Sequence, residues 1–197
     1  MNLVTAFSTS TLLAVALAGP ATAHEQAYSV LLSGPSEAPP NASPGHGSGT
    51  VLFDLDVVTM RVQLSFAGLV GPTTASHIHC CTAVPGTGTV SVATTLPTFT
   101  GFPLGVMSGS YDHTFDMTQA SSYNPAFVTA KGSVSGALNA LLAGAASGSA
   151  YLNIHTSSFP GGEIRAFLVP VPEPSTWALM LGGIGVLGWL ARRRLRV

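Results

Sequence analysis

The sequence predicts an all-β domain, a Greek-key sandwich or barrel-like fold with one short helical insert, set between an N-terminal signal peptide and a C-terminal transmembrane helix. Three observations carry this. Gly and Pro punctuate the middle of the chain, and the runs between them alternate apolar and polar with period two. One stretch alone breaks into helical spacing. The longest apolar runs lie at the two ends, although 46% of the 197 residues are hydrophobic and only 8% charged.

In chain order, residues 11–18 form an apolar run too short to span a bilayer, and Ala21-Thr22-Ala23 supplies the small residues a signal peptidase needs. Residues 1–23 are therefore read as a signal peptide cleaved before His24. Residues 34–49, with four Pro and four Gly, read as a long loop. Residues 50–57 are a strand. Met60, Val62, Leu64 and Phe66 then alternate with polar partners, which predicts a hairpin turning at Val58-Thr59. Further strands are expected at 77–79, 89–93, 109–116, 149–156 and 163–169.

Val134, Ala137, Leu138, Leu141 and Leu142 follow the spacing of an amphipathic helix, with Ser133 or Ser135 as N-cap and Gly144 as C-cap. Shorter helical turns are expected at 118–122 and from Asn124-Pro125-Ala126. These elements make one domain over residues 24–170, whose 147 residues suffice for one core.

Residues 171–197 read as Val171-Pro172-Glu173-Pro174, an apolar stretch from Ser175 to Ala191, and an Arg tail. That stretch is 17 residues long, at the lower limit for crossing hydrocarbon, with Trp177 and Trp189 as interfacial anchors and the arginines on the cytoplasmic side.

Four of the seven basic residues sit in the last six positions, so the formal charge of -1 conceals an acidic middle. Residues 24–170 hold three basic and seven acidic side chains, giving 3 − 7 = −4. Phosphate backbones require clustered Lys and Arg, so nucleic acid is excluded as a partner.

His77-Ile78-His79 has metal-ligand spacing, because a strand sends both imidazoles to one face and Ile78 to the other. A third imidazole is available from His155, which shares a face with Tyr151 and Asn153 while Leu152 and Ile154 enter the core. Three neutral imidazoles suit copper or zinc. The alternative is that these histidines hydrogen-bond nearby carbonyls and orient loops. The adjacent Cys80 and Cys81 leave three readings: a vicinal disulfide, soft ligands beside the histidines, or a reduced, partly buried pair.

Glu163 and Arg165 share a strand face, and Glu37 is a partner for Arg165 in a structural ion pair pinning the N-terminal loop to the last strand. His113 reads as a packed histidine; His24 and His46 lie in less ordered regions, His24 offering copper an amine and an imidazole. No Gly-x-Ser-x-Gly elbow, HExxH helix or P-loop is present, and a single cysteine pair leaves no CxxC motif, so no enzymatic activity is expected.

Two resemblances follow from these residues. The tail resembles the PEP-CTERM sorting signal of Gram-negative bacteria, which implies recognition by an exosortase at the inner membrane, removal of the helix, and delivery to the cell surface or beyond. The ordered set Leu31-Leu32-Ser33-Gly34, Glu37-Ala38-Pro39-Pro40, Gly49-Thr50-Val51, Ser76-His77-Ile78-His79, Asn153-Ile154-His155-Thr156 and Pro160-Gly161-Gly162-Glu163-Ile164-Arg165 resembles a CHRD domain over residues 27–169. That implies an all-β secreted module acting in binding or structure, with surface polysaccharide or matrix components as partners. The Cys80-Cys81 pair and an insert at 96–109 depart from the family pattern. The His-x-His strand is also similar to the copper-binding strand of copper-zinc superoxide dismutases, but His113 is the one further histidine in the folded region, so dismutase chemistry is not expected.

Overall fold

The computed structural model describes residues 25–172 and 174–194. Residues 1–23, expected to be a signal peptide, with His24, Glu173 and the last three residues, lie outside them. Eight strands form a single antiparallel sheet, curled into a half-barrel: β1 (Glu25–Ser33), β2 (His46–Asp54), β3 (Thr59–Ala67), β4 (Thr73–His79), β5 (Gly109–Asp116), β6 (Tyr151–Thr156), β7 (Ile164–Phe167) and β8 (Val169–Pro170). The order is β4-β6-β7-β1-β2-β3-β5, with β8 also on β1.

Alternation decides which side chains enter the core. Tyr28, Val30 and Leu32 of β1, Val51 and Phe53 of β2, and Met60, Val62, Leu64 and Phe66 of β3 all turn inward and are buried. Ile78, Leu152, Ile154, Ile164 and Ala166 continue that face along β4, β6 and β7. The β2–β3 hairpin runs in unbroken register from His46↔Ala67 to Asp54↔Thr59, so β2 begins four residues earlier than the sequence suggests. Asp54 Oδ1 accepts from the Asp56 and Val57 amides, and Val58 takes the left-handed conformation that closes the turn.

Three expectations are corrected. Residues 25–33, unassigned from the sequence, form β1, which pairs with β2 and β7 in the middle of the sheet. Residues 89–93 are not a strand: only Val92 bridges, to His79, because the carbonyls of Val90 and Val92 are taken by the His79 ring and by Asn124 Nδ2. The helices form a pair, α1 (Pro125–Lys131), which starts at the expected Asn124-Pro125-Ala126, and α2 (Val134–Ala146), capped by Asn124 and Ser133, whose side chains accept from the Ala126 and Gly136 amides. α2 runs two residues past Gly144, its expected C-cap, and ends at Ser147.

The half-barrel is open between edge strands β4 and β5, and residues 94–107 fill that opening. Their backbone bonds to β4 at Ser76 and Thr73, while Phe99 and Phe102 pack against Tyr111, Phe115 and Phe66 of the opposite edge. After β8 the chain enters α3 (Pro174–Arg194), whose Leu181, Ile184, Val186, Leu187 and Trp189 are exposed. Among the described residues no helix is long and apolar enough to cross a membrane.

Candidate metal centre

The face of β4, β6 and β7 turned away from the core is polar yet largely buried, because residues 34–43, 86–92 and 158–162 cover it. The ladder sets its geometry: His77 lies opposite Asn153, His79 opposite Tyr151, and Asn153 opposite Arg165. His155, two residues beyond Asn153, falls on the same face.

His77, His79 and His155 thus meet. Each offers one ring nitrogen within 4.8 Å of the others, and the His77 ring stacks on His155 at 4.7 Å between centroids. The Tyr151 ring lies flat against His79, at 4.6 Å and 6°. Carbonyls fix two of the imidazoles: His79 Nδ1 donates to Val90 O at 2.6 Å, and His155 Nδ1 to Pro160 O at 2.8 Å. Both rings then carry a lone pair on Nε2. Those two nitrogens, with His77 Nδ1, are buried and have no hydrogen-bond partner.

Burial holds all three rings neutral. It pushes His77 down to about 3, with further lowering from His79 and His155. His79 falls to about 4, burial outweighing its bond to Val90, and burial likewise lowers His155. Neutral imidazoles with fixed outer hydrogen bonds are the form that ligates metals. For nitrogen bonds of ~2.0–2.1 Å, tetrahedral ligand atoms stand roughly 3.3 Å apart, so small rotations of the rings would close the set on an ion.

Of the three readings left open for Cys80 and Cys81, soft ligands, a reduced buried pair or a vicinal disulfide, the structure shows the last: they are joined to each other. Their sulfurs pack beneath Gly144 of α2 and are not thiolates available to a metal.

The charged residues divide. Arg165 is buried over the Tyr151 and Phe167 rings; Nε donates to Ser36 O, and Nη1 donates to Gly88 O at 2.9 Å. Glu37 faces it at 3.8 Å, and burial outweighs this longer ion pair, raising the carboxyl to about 7. Glu163, expected in the same ion pair, is elsewhere: its carboxylate accepts from Ser43 Oγ and Thr156 Oγ1, each at 2.6 Å, and from the Val70 and Gly71 amides at 2.6 and 3.4 Å. Burial pushes Glu163 up, but these donors hold it below the usual carboxylate range. Gly162, at φ 128°, lets the 158–162 loop close on this network, since a Cβ there would strike Glu37 Oε1 and Asn153 Nδ2. Sequence reasoning missed the part played by Glu163, whose carboxylate joins three loops, because the partners lie 7 to 120 residues away.

His113 stacks between Tyr111 and Phe115 on β5, apart from the cluster. Val171 and Pro172 are exposed and Pro174 opens α3.

No curated protein and no solved structure matches the chain. Two family models do: residues 170–194 match the PEP-CTERM protein-sorting motif, and residues 28–168 match the CHRD domain. The first marks an exported protein of the kind exosortase processes in Gram-negative bacteria. The second runs from Tyr28 in β1 to Leu168, taking in β2 to β7 and the histidine cluster, and so the chain belongs to the CHRD domain family.

Proposed function

We propose that this is a non-enzymatic surface module that holds one copper or zinc ion at His77, His79 and His155. One observation carries the reading: three neutral ring nitrogens are buried without hydrogen-bond partners, and outer carbonyls fix the tautomers of two rings. Leaving such nitrogens dry and unpaired costs stability, and a cation repays that cost. The ion, when bound, would tie β4 to β6 and draw the 158–162 loop inward through His155. No nucleophile and base stand together in the sequence, which supports a role in metal capture or assembly over hydrolysis.

The test uses the full-length chain, purified, loaded with copper(II) or zinc(II) and desalted, beside a variant with all three histidines changed to Ala. The expected result is one ion per chain, lost in the variant. Equal metal content in both would end the proposal.

The sorting motif supports a route in which signal peptidase removes residues 1–23, the 175–191 segment holds the chain at the inner membrane, and exosortase cuts near Pro172–Pro174. Released protein would then act at the cell surface or in the matrix. Mass spectrometry of protein from cells with active exosortase is expected to show chains lacking Trp177 and the Arg tail. An intact C-terminus at steady state would contradict the route.

A further inference from the structure

Asn153 stands at the middle of the histidine cluster. It lies directly across from His77, two residues before His155 on the same face, and its side chain is within hydrogen-bonding reach of His79. Only 2% of it is exposed. Its Oδ1 is buried and accepts no hydrogen bond, in a fold where most buried carbonyl oxygens do.

The chemistry around that oxygen is specific. His79 commits Nδ1–H to Val90 O, and its Nε2, buried without a partner, is left as a bare lone pair at the cluster. Asn153 Oδ1 therefore meets an acceptor, not a donor; His155, whose Nδ1 is likewise committed to Pro160 O, presents a second bare Nε2, and His77 Nδ1 lies beside them buried and unpartnered. Three acceptors, Asn153 Oδ1 and the two Nε2 atoms, thus gather beside the unpartnered His77 Nδ1 with no hydrogen bond to relieve their repulsion, and all four atoms are buried from water. A cation at their centre satisfies all four at once.

Resting on the metal reading above, we infer that Asn153 Oδ1 is the fourth ligand, so that the centre is coordinatively closed. All four donor atoms are buried from solvent. A catalytic metal keeps an open position for water or substrate, whereas a structural or storage site is filled by protein atoms. The centre belongs to the second kind: three imidazoles and an amide oxygen retain the ion and leave no place for a small exogenous anion. The Cys80–Cys81 disulfide, following His79 directly, contributes no donor, and Glu37, whose Oε1 is also buried and unpartnered, does not fall within the histidine group.

Full-length wild type, Asn153→Ala, Asn153→Asp and the triple histidine variant are loaded with copper(II) and titrated with azide, read by electron paramagnetic resonance, with metal content measured after desalting. Wild type is expected to retain one copper and an azide-independent spectrum. Asn153→Ala should keep copper through its three histidines, bind it at least about tenfold more weakly, and acquire an azide-dependent spectrum. Asn153→Asp, which restores an oxygen donor, should again ignore azide, and this rescue separates ligation from a mere packing defect. Azide binding to wild type as readily as to Asn153→Ala, or unchanged affinity in Asn153→Ala, would overturn the fourth ligand while leaving the three-histidine site standing. Copper content in wild type no higher than in the triple variant would overturn the metal reading itself, and this inference with it.

Discussion

Buried polar residues decide the character of this molecule, and they do so in two different ways. Glu163 is saturated: two hydroxyls and two amides donate to its carboxylate, linking residue 43, residues 70–71 and the end of β6. Glu163→Ala should therefore cost at least about 3 kcal/mol in urea unfolding, since four buried donors lose their acceptor. The pH dependence has a definite sign. A carboxyl held below its unfolded value of 4.5 contributes stability above that pH and loses it as pH falls through the folded value, so the advantage of wild type over Glu163→Gln should shrink below pH 4.5. The histidines are the opposite case, unsaturated by hydrogen bonds. Their depressed values mean that, without metal, acid removes stability as pH falls from 6.5 toward 3. Comparing wild type with Glu163→Gln cancels that shared background.

Among the elements, α2 shows how tertiary contact overrides helix propensity. Gly144→Ala should stabilise an isolated helix by about 1 kcal/mol. Here the new Cβ would overlap both sulfurs of the Cys80–Cys81 disulfide, so the same change should destabilise the protein by roughly 1–3 kcal/mol. A raised midpoint of thermal unfolding in Gly144→Ala would show that α2 does not press on the disulfide. The elements most legible in the sequence were those whose alternation was uninterrupted, β3 and β5 above all, and the His-x-His spacing placed two of the three histidines by period alone. β1 is not evident in the sequence because it follows residues 1–23, which read as a signal peptide, and carries Leu31, 76% exposed, on its outer face, which blurs its alternation. Residues 89–93 read as a strand because Val90 and Val92 alternate correctly. Their carbonyls are diverted to the His79 ring and to Asn124 Nδ2, a use that no local pattern announces.

At the scale of the whole molecule, the half-barrel separates two buried environments. Its concave side, closed by Phe99 and Phe102, is apolar; the opposite side of β4, β6 and β7 is a polar layer roofed by loops. The CHRD domain thus has an apolar interior and a second, polar interior that holds the three histidines, on an exported chain with its sorting motif at the far end. The disulfide and the histidine cluster meet at the end of β4, yet they face different neighbours: the sulfurs pack against α2, and the imidazoles turn to the polar layer where we propose the metal. X-ray absorption at the metal edge of the loaded full-length protein tests that division and the central claim together. The account predicts a single light-atom shell at about 2.0–2.1 Å with imidazole outer scattering for zinc. A sulfur shell at about 2.3 Å, or the absence of imidazole scattering, would contradict it.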